Sequence, residues 1–301
     1  MPRRFRQAPT LLEATLNASL EPTKEGKIIP ALGNMSKWPW WALTIAFGTV
    51  LIIFNFITNE TYNEAISFIG EGVVTTIRVT LTAYSLALMG GLFLGLGRVS
   101  KNVLYYNFAT FYVEMMRGIP MLVIILYGAF VVVPVGLDLL TATGQWLVDK
   151  NLLSGLGVTL QSLDIQKVDM SARAIAGLAM GYAAFEAEVF RAGIQSIDKG
   201  QMEAARSLGM SYVQAMRYVI LPQALRRVLP PLGNDLIAIL KDSSLISALA
   251  VNDITQLGKK FRARSFSSFE AYNTMAFLYL SMTISLSMLV KFIERKTSRG
   301  R

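Results

Sequence analysis

The chain has 301 residues, 53% of them hydrophobic and only 16% charged, with no cysteine and no histidine. Soluble domains carry about 25% charged residues, so a mean hydropathy of +0.44 with apolar residues gathered in long runs excludes an ordinary soluble enzyme and a disordered chain. Absent cysteines exclude a disulfide scaffold, absent histidines exclude zinc-binding His clusters, Ser-His-Asp triads and His general bases, and the net charge of +9 reads as Lys- and Arg-rich cytoplasmic loops rather than nucleic-acid binding.

In chain order, residues 1–37, with Pro9, Pro22 and Pro30, are expected to form a loosely ordered or surface-lying cytoplasmic arm. No small-residue cleavage site follows a short apolar core there, so a signal peptide is not expected. A bilayer core about 30 Å thick takes ~20 helical residues to cross. Six stretches meet that length: 38–57, 72–97, 118–137, 171–190, 228–251 and 274–293. The first opens on Trp38, Trp40 and Trp41, an interfacial belt. Backbone groups must bond internally in lipid, so these stretches predict helices. Barrel strands would alternate in hydropathy over about ten residues, and these runs do not. The fold expected is all-α and polytopic, with six transmembrane helices. Gly91-x-x-x-Gly95 and Gly177-x-x-x-Gly181 suit close helix packing.

Six spans put both termini on one side. Arg98, Lys101 and Arg117 lie between the second and third spans, and Arg191, Lys199, Arg206, Arg217, Arg226 and Arg227 between the fourth and fifth. Loop 58–71 has no basic residue, and loop 138–170 has only Lys150 and Lys167. This alternation places the termini and the basic loops in the cytoplasm. Loop 252–273 disagrees, since it should face outward yet carries Lys259, Lys260, Arg262 and Arg264. It is either a tolerated exception or a patch for an acidic partner.

The stretch 191–227 is polar and helix-forming. It reads Glu203-Ala204-Ala205-Arg206-Ser207-Leu208-Gly209, then nine residues, then Val219-Ile220-Leu221-Pro222. This predicts a short helix, a glycine turn, a second helix with apolar Met210, Val213, Met216 and Val219, and a proline stop. Such a protruding helix pair is either a plain connector or an element that docks into a groove on a partner.

These residues resemble the EAA loop of bacterial ABC importer permeases, with Val219 where the family usually has Ile. Further motifs resemble the polar amino-acid branch of that family. They are Glu114-Met115-Met116-Arg117-Gly118-Ile119-Pro120, Ala187-Glu188-Val189-Phe190-Arg191-Ala192-Gly193-Ile194, and Leu240-Lys241-Asp242-Ser243-Ser244-Leu245. The resemblance covers 70–295, and it implies a type I ABC importer permease core over that range. Around it stand the arm 1–37, an extra first transmembrane helix at 38–58, and a cytoplasmic tail at 296–301.

The resemblance implies the membrane subunit of an ATP-driven amino-acid importer in the bacterial inner membrane. Two ATP-binding subunits, a second permease (itself or a sister subunit) and an extracytoplasmic amino-acid-binding protein would complete it, with membrane lipid around it and no nucleic acid. The chain has no Gly-x-x-x-x-Gly-Lys-(Ser/Thr) loop. It would therefore not supply that nucleotide site itself; the resemblance implies a transport subunit rather than an enzyme, binding no cofactor or metal of its own, with ATP and Mg held by the partner. The EAA segment, 195–225, would be the coupling element, with Glu203, Ala204, Ala205, Gly209, Leu221 and Pro222 as the positions carried over. A permease for another polar solute, or an ion-coupled secondary transporter or channel, is the alternative.

Charges at mid-bilayer cost about 2.5–3.5 kcal/mol on insertion scales, so they face a cavity or a partner. Glu188 and Arg191, three apart on a helix, are placed for a structural ion pair. Asn234 and Lys241 share one helix face, and Asp235 and Asp242 a neighbouring one. Lys241 either bridges to Asp242 or another carboxylate, or meets a substrate carboxylate while Glu186, Asn234 or Asp235 meets its amino group. With Ser244, these form the candidate substrate path. Arg78 reads as a snorkelling residue near the outer end of its span.

Overall fold

The computed structural model describes residues 40–298, which are almost wholly helical and include no strand. The arm 1–37 lies outside the described residues, as does the end of the tail beyond residue 298. Thirteen α-helices follow in order among the described residues. The first, α1 (Trp40–Thr58), is apolar on every side. Asn55 and Thr58 donate to the carbonyls one turn back, at 2.8 Å each, so these two donors are satisfied within the helix. In the compact unit that begins at Leu51, Phe56 packs edge-on against Tyr62 and Phe277.

Helix α2 (Glu60–Gly70) is capped by Asn59, whose side chain accepts from the N–H groups of Thr61 and Tyr62. It leads into α3 (Gly72–Arg98), which lies along α8 (Met170–Gln195). Gly90 faces Ala183, Gly91 faces Glu186, and Gly95 faces Phe190, so the two helices run in the same direction. Small residues bring the backbones close here: a Cβ on Gly91 would stand 2.4 Å from the Cβ of Glu186.

Helix α4 (Val103–Gly118) buries Ala109, Val113 and Met116 against this pair. Pro120 then opens α5 (Met121–Tyr127), which passes through a π-helical turn, Gly128–Val132, into α6 (Val133–Asp149). Gly128 abuts Gly177 of α8. Helix α7 (Ser154–Gln161) folds back on α6, with Gly157 against Gly144 and Gln161 bonded to Gln145 at 2.9 Å. After α8 come α9 (Lys199–Ser207) and α10 (Tyr212–Ala215). A π-helical turn, Met216–Ile220, joins α10 to α11 (Leu221–Asp242). A 3-10 segment, Ser243–Leu249, precedes α12 (Ile254–Ser265) and α13 (Ser268–Ser298).

The main core lies where α3, α5, α8, α11 and the 3-10 segment meet, around Val79, Tyr84, Ile125, Leu178, Tyr182 and Ile246. A second cluster joins α2, α12 and α13 through Ile69, Ile254, Phe261 and Met275.

Three helical runs are long and apolar enough to cross a bilayer: Glu60–Arg98, Met121–Asp149 and Ser268–Lys296. Helices α8 and α11 lie on the fourth and fifth apolar stretches but carry Glu186, Glu188, Asp235 and Lys241, which lower their hydropathy. The fifth stretch is also not one helix. It ends at Asp242, and Ala250 turns the chain with φ +56°. The stretches 58–71, 98–117, 138–170 and 252–273, read as connecting loops from hydropathy, are largely helical. Hydropathy reports lipid contact, whereas these helices are amphipathic or pack on other helices.

Candidate functional site

The segment 195–225 is built by local turn chemistry. Helix α9 ends in a Schellman motif: Met210 N–H donates to the Ala205 carbonyl at 3.2 Å, and Gly209 N–H to that of Arg206 at 3.0 Å. This closure needs a left-handed residue, and Gly209 has φ +83°. Ser211 and Gln214 then form a capping box that starts α10. The pair is rooted by Ile194, Ile197, Ile220 and Ala224, against which Met202, Met216, Val219 and Leu221 pack. Ala205 is buried, while Glu203, Ala204 and Pro222 are exposed. The tip is apolar and open to its surroundings, with Leu208 83% and Val213 71% exposed.

Pro222 does not stop a helix. It sits in the first turn of α11, directly after the π-helical turn, and the chain stays helical from Tyr212 to Asp242. Proline lacks an N–H, and the widened turn is where a missing bond does least harm.

Within the bundle, Glu186 on α8 is fully buried, at 0% exposure, and neither carboxylate oxygen has a hydrogen-bond partner. Asp235 of α11 is half-buried and near enough to act on Glu186 electrostatically. Two tyrosines stand beside them. The Tyr84 hydroxyl donates to the Leu232 carbonyl at 2.7 Å, and the Tyr182 hydroxyl to Asp242 at 2.8 Å. Asn234 and Lys241 are exposed, and Ser244 is half-buried on the 3-10 segment. Among the described residues Lys241 makes no ion pair, with Asp242 or any other carboxylate. The structure thus encloses Glu186, half-buries Asp235 and leaves Asn234 and Lys241 exposed on α11.

Glu188 points away from Glu186 and is engaged by two arginines. It accepts from Arg191 Nε at 2.9 Å and from Arg98 Nη1 at 3.0 Å. A second Arg191 nitrogen, Nη2, also donates to it. Arg98 donates in turn to Glu114 at 2.9 Å, so one network ties α3, α4 and α8 together. The hydrogen bond to Glu188 holds the Arg191 guanidinium above its ordinary range. Sequence reasoning placed Arg98 only among the basic residues beyond a span. Its partners lie 16 and 90 residues away, a separation that local pattern does not carry.

Asp253, before α12, is also buried. Its side chain accepts from the N–H of Gln256 at 2.8 Å and from the Tyr279 hydroxyl at 3.2 Å. Burial nonetheless pushes its carboxyl above the usual carboxylate range. Among the described residues no three His, Cys, Asp or Glu side chains come together as metal ligands do.

Residues 87–299 match the family model of the binding-protein-dependent transport system inner membrane component. The chain is 32% identical over 232 residues to a probable amino-acid permease protein, YxeN, of Bacillus subtilis strain 168, covering 76% of this chain and 91% of that one. It is 30% identical over 232 residues to the glutamine transport system permease protein GlnP of Escherichia coli strain K12, covering 77% and 94%. It is likewise 30% identical over 234 residues to the glutamate/aspartate import permease protein GltK of Escherichia coli O157:H7, covering 78% and 95%. Among solved structures it is similar to the crystal structure of an amino acid ABC transporter with histidines, with TM-score 0.62, 31% identity, and 77% of this chain and 95% of that one covered. An inward-facing MetNI methionine ABC transporter shares the fold, with TM-score 0.58 at 19% identity, covering 77% and 97%.

Proposed function

From the premise that the chain belongs to the family of binding-protein-dependent transport system inner membrane components, we propose that it is the translocation subunit of an ATP-driven amino-acid importer. Its transport core spans 70–295, six helices cross the inner membrane with both termini inside, and the helix at 38–58 is an addition to that core. Two ATP-binding subunits supply the nucleotide and Mg sites. A second permease, identical or sister, completes the path, and an extracytoplasmic binding protein delivers the amino acid.

The observation that carries this reading is the apolar tip of the α9–α10 pair, exposed at Leu208 and Val213 and rooted in the bundle at Ile220 and Ala224. An exposed apolar element on a stiff base suits a groove in another protein. Glu203, Ala204, Ala205, Gly209, Leu221 and Pro222 form the coupling element that seats in the ATPase. The substrate path runs past Glu186, Asn234, Asp235, Lys241 and Ser244, and the Glu188–Arg191 pair is structural.

The mechanism is alternating access. ATP closes the ATPase dimer, the α9–α10 pair carries that motion into α8 and α11, and the path reopens outward. The loaded binding protein drives the switch only through its different affinity for the two states. The test is ATP hydrolysis by the complex in lipid vesicles as the loaded binding protein is added. Hydrolysis stimulated by that protein and one class of amino acid is expected. Solute flux that persists in vesicles without ATP, with no bound ATPase, overturns the reading in favour of a channel or secondary transporter.

A further inference from the structure

Helices α6 and α7 form a hairpin that stands apart from the bundle. They pack on each other, with Gly144 and Val148 of α6 against Gly157 of α7. Among the described residues, none of 133–161 belongs to a buried apolar cluster. The packing of α5 on α8 fixes where this hairpin begins. Met121 lies beside Gly181 and Gly128 beside Gly177, so the two helices run antiparallel. Helix α8 starts at Met170, seven residues or about 10 Å before Gly177. The same distance beyond Gly128 brings the chain to Val135. There the apolar run Met121–Asp149 leaves the bundle, and 135–149 extends about 21 Å beyond it.

The projecting part carries a broad apolar face. Val135, Leu139, Ala142 and Trp146 are all exposed and fall within about 60° of one another around α6. Leu140 and Leu147 widen this sector to about 160°. Leu139 is 65% and Trp146 55% exposed, and Leu152, Leu153, Leu156 and Val158 in the turn and on α7 are open as well. Soluble surfaces rarely leave a contiguous apolar patch of this kind to water. The polar groups are placed to suit. Asp138, Gln145 and Asp149, all exposed, fall within about 40° of one another beside the apolar sector. Hydroxyls return their protons to the helices, Thr143 to the Leu139 carbonyl at 2.7 Å and Thr159 to that of Gly155 at 2.9 Å, so these donors need no solvent.

We propose that the α6–α7 hairpin lies in the outer face of the bilayer, its apolar sector among the acyl chains and Asp138, Gln145 and Asp149 turned to headgroups and water. A lipid layer is the occupant that fits the width of the face. A seam with a second copy is a narrow stripe of two positions per heptad, whereas helices that lie in a membrane surface bury one broad side. The bilayer is also already in contact with the run that leads into the hairpin. The π-helical turn Gly128–Val132 and Pro134 stand at the point of departure, and both are features at which helices bend. Trp146 supplies an aromatic ring of the kind that settles at the interface. Asp138, Asp149 and Lys150 sum to −1, so attraction to anionic lipid contributes nothing, and apolar burial carries the contact. The hairpin would hold the outer end of α5, and through the Gly128–Gly177 contact that of α8, to one leaflet. This goes beyond the importer reading and rests on it only for the membrane and its outer side.

Spin labels on single cysteines in the full chain, held in phosphatidylcholine nanodiscs, test the placement. Labels at Leu139→Cys and Leu156→Cys are expected to collide more with oxygen, which concentrates among acyl chains, than with a nickel chelate confined to water. Labels at Asp138→Cys and Asp149→Cys are expected to show the reverse. Phosphatidylglycerol in place of phosphatidylcholine is expected to leave this pattern unchanged. Val135→Asp combined with Trp146→Asp is expected to raise nickel collisions at Leu156→Cys by roughly tenfold or more, since lipid burial of one large apolar side chain shifts an equilibrium by that much. Neither residue belongs to a buried cluster, so the melting temperature of the bundle is expected to hold.

Nickel collisions that dominate at all four positions show a hairpin standing in water and overturn the proposal. Shielding from both probes, with spin–spin broadening between copies at Leu139→Cys, overturns it in favour of pairing with a second permease. Shielding that comes only when the loaded binding protein is added overturns it in favour of a docking site for that protein. Each of these outcomes leaves the importer reading intact, since that reading stands or falls on stimulated ATP hydrolysis.

Discussion

Gly209 has no atom within 4 Å of where a Cβ would stand, so a side chain there meets open space. Its constraint is the backbone alone. At φ +83° an L-residue with a branched side chain is strained by about 1–2 kcal/mol. The Schellman bonds from Gly209 and Met210 would loosen, and α10 would leave α9 at a different angle. Gly209→Val is therefore expected to insert and assemble normally but to lower uptake per ATP hydrolysed by about tenfold, since ~1.4 kcal/mol is a tenfold shift in an equilibrium. Gly209→Asn is expected to keep most of the coupling, because asparagine tolerates the left-handed region. Uptake and hydrolysis measured together in vesicles check both. Equal coupling in Gly209→Val and the parent would show that the turn geometry does not transmit the motion.

The helices meet through glycines where they are closest. A Cβ on Gly177 would lie 2.7 Å from the Cα and 3.0 Å from the carbonyl oxygen of Ile125, both backbone atoms that cannot swing aside. Gly136 of α6 has nothing within 4 Å. Overpacking costs about 1–3 kcal/mol, whereas glycine to alanine at an open helical position gains up to about 1 kcal/mol. Gly177→Ala is thus expected to lower the melting temperature of the detergent-held protein and Gly136→Ala to hold or raise it. The same order of effects in reverse would mean that α5 and α8 are not packed at this point.

Elements of this kind were partly legible in the sequence. The Gly-x-x-x-Gly pairs announce close packing, and Gly209 announces a turn, because both signals are local. Pro222 misled for the same reason: a proline after a helical run reads as a stop unless the π-helical turn before it is known. Helices α2, α4 and α12 were hidden by reading hydropathy alone. The partner of Glu188 was half legible. Arg191 is one turn away, whereas Arg98 arrives from another helix. The isolation of Glu186 was not legible at all, since it depends on where two tyrosines on separate helices send their hydroxyl protons.

At the scale of the whole molecule, the basic stretch 252–273 is the feature at odds with the charge rule. Three of its four cations, all but Arg262, are occupied locally. Lys259 donates to the Ser247 hydroxyl at 2.9 Å, Lys260 to the Asn252 side chain at 2.7 Å, and the Arg264 guanidinium lies 3.8 Å from the centre of the Phe68 ring. Cations held in hydrogen bonds and over an aromatic face are part of α12's packing, and packing accounts for their presence whichever side of the membrane α12 lies on. An outer position for α12 requires α11 to cross the bilayer, since it is the helix between the α9–α10 pair and α12. Its 22 residues reach about 33 Å, against a hydrocarbon core of about 30 Å. Length therefore permits the crossing even though Pro230, Pro231, Asp235 and Lys241 depress its hydropathy. The chain has no native cysteine, so a single introduced thiol reports its own side of the membrane. Ser207 and Ala263 are both exposed, at the end of α9 and on α12. With a membrane-impermeant maleimide, Ala263→Cys is expected to label in intact spheroplasts, and Ser207→Cys only after the membrane is opened. Labelling of both from the same side would mean that α11 enters and leaves by one face, and the six-span topology would fall with it.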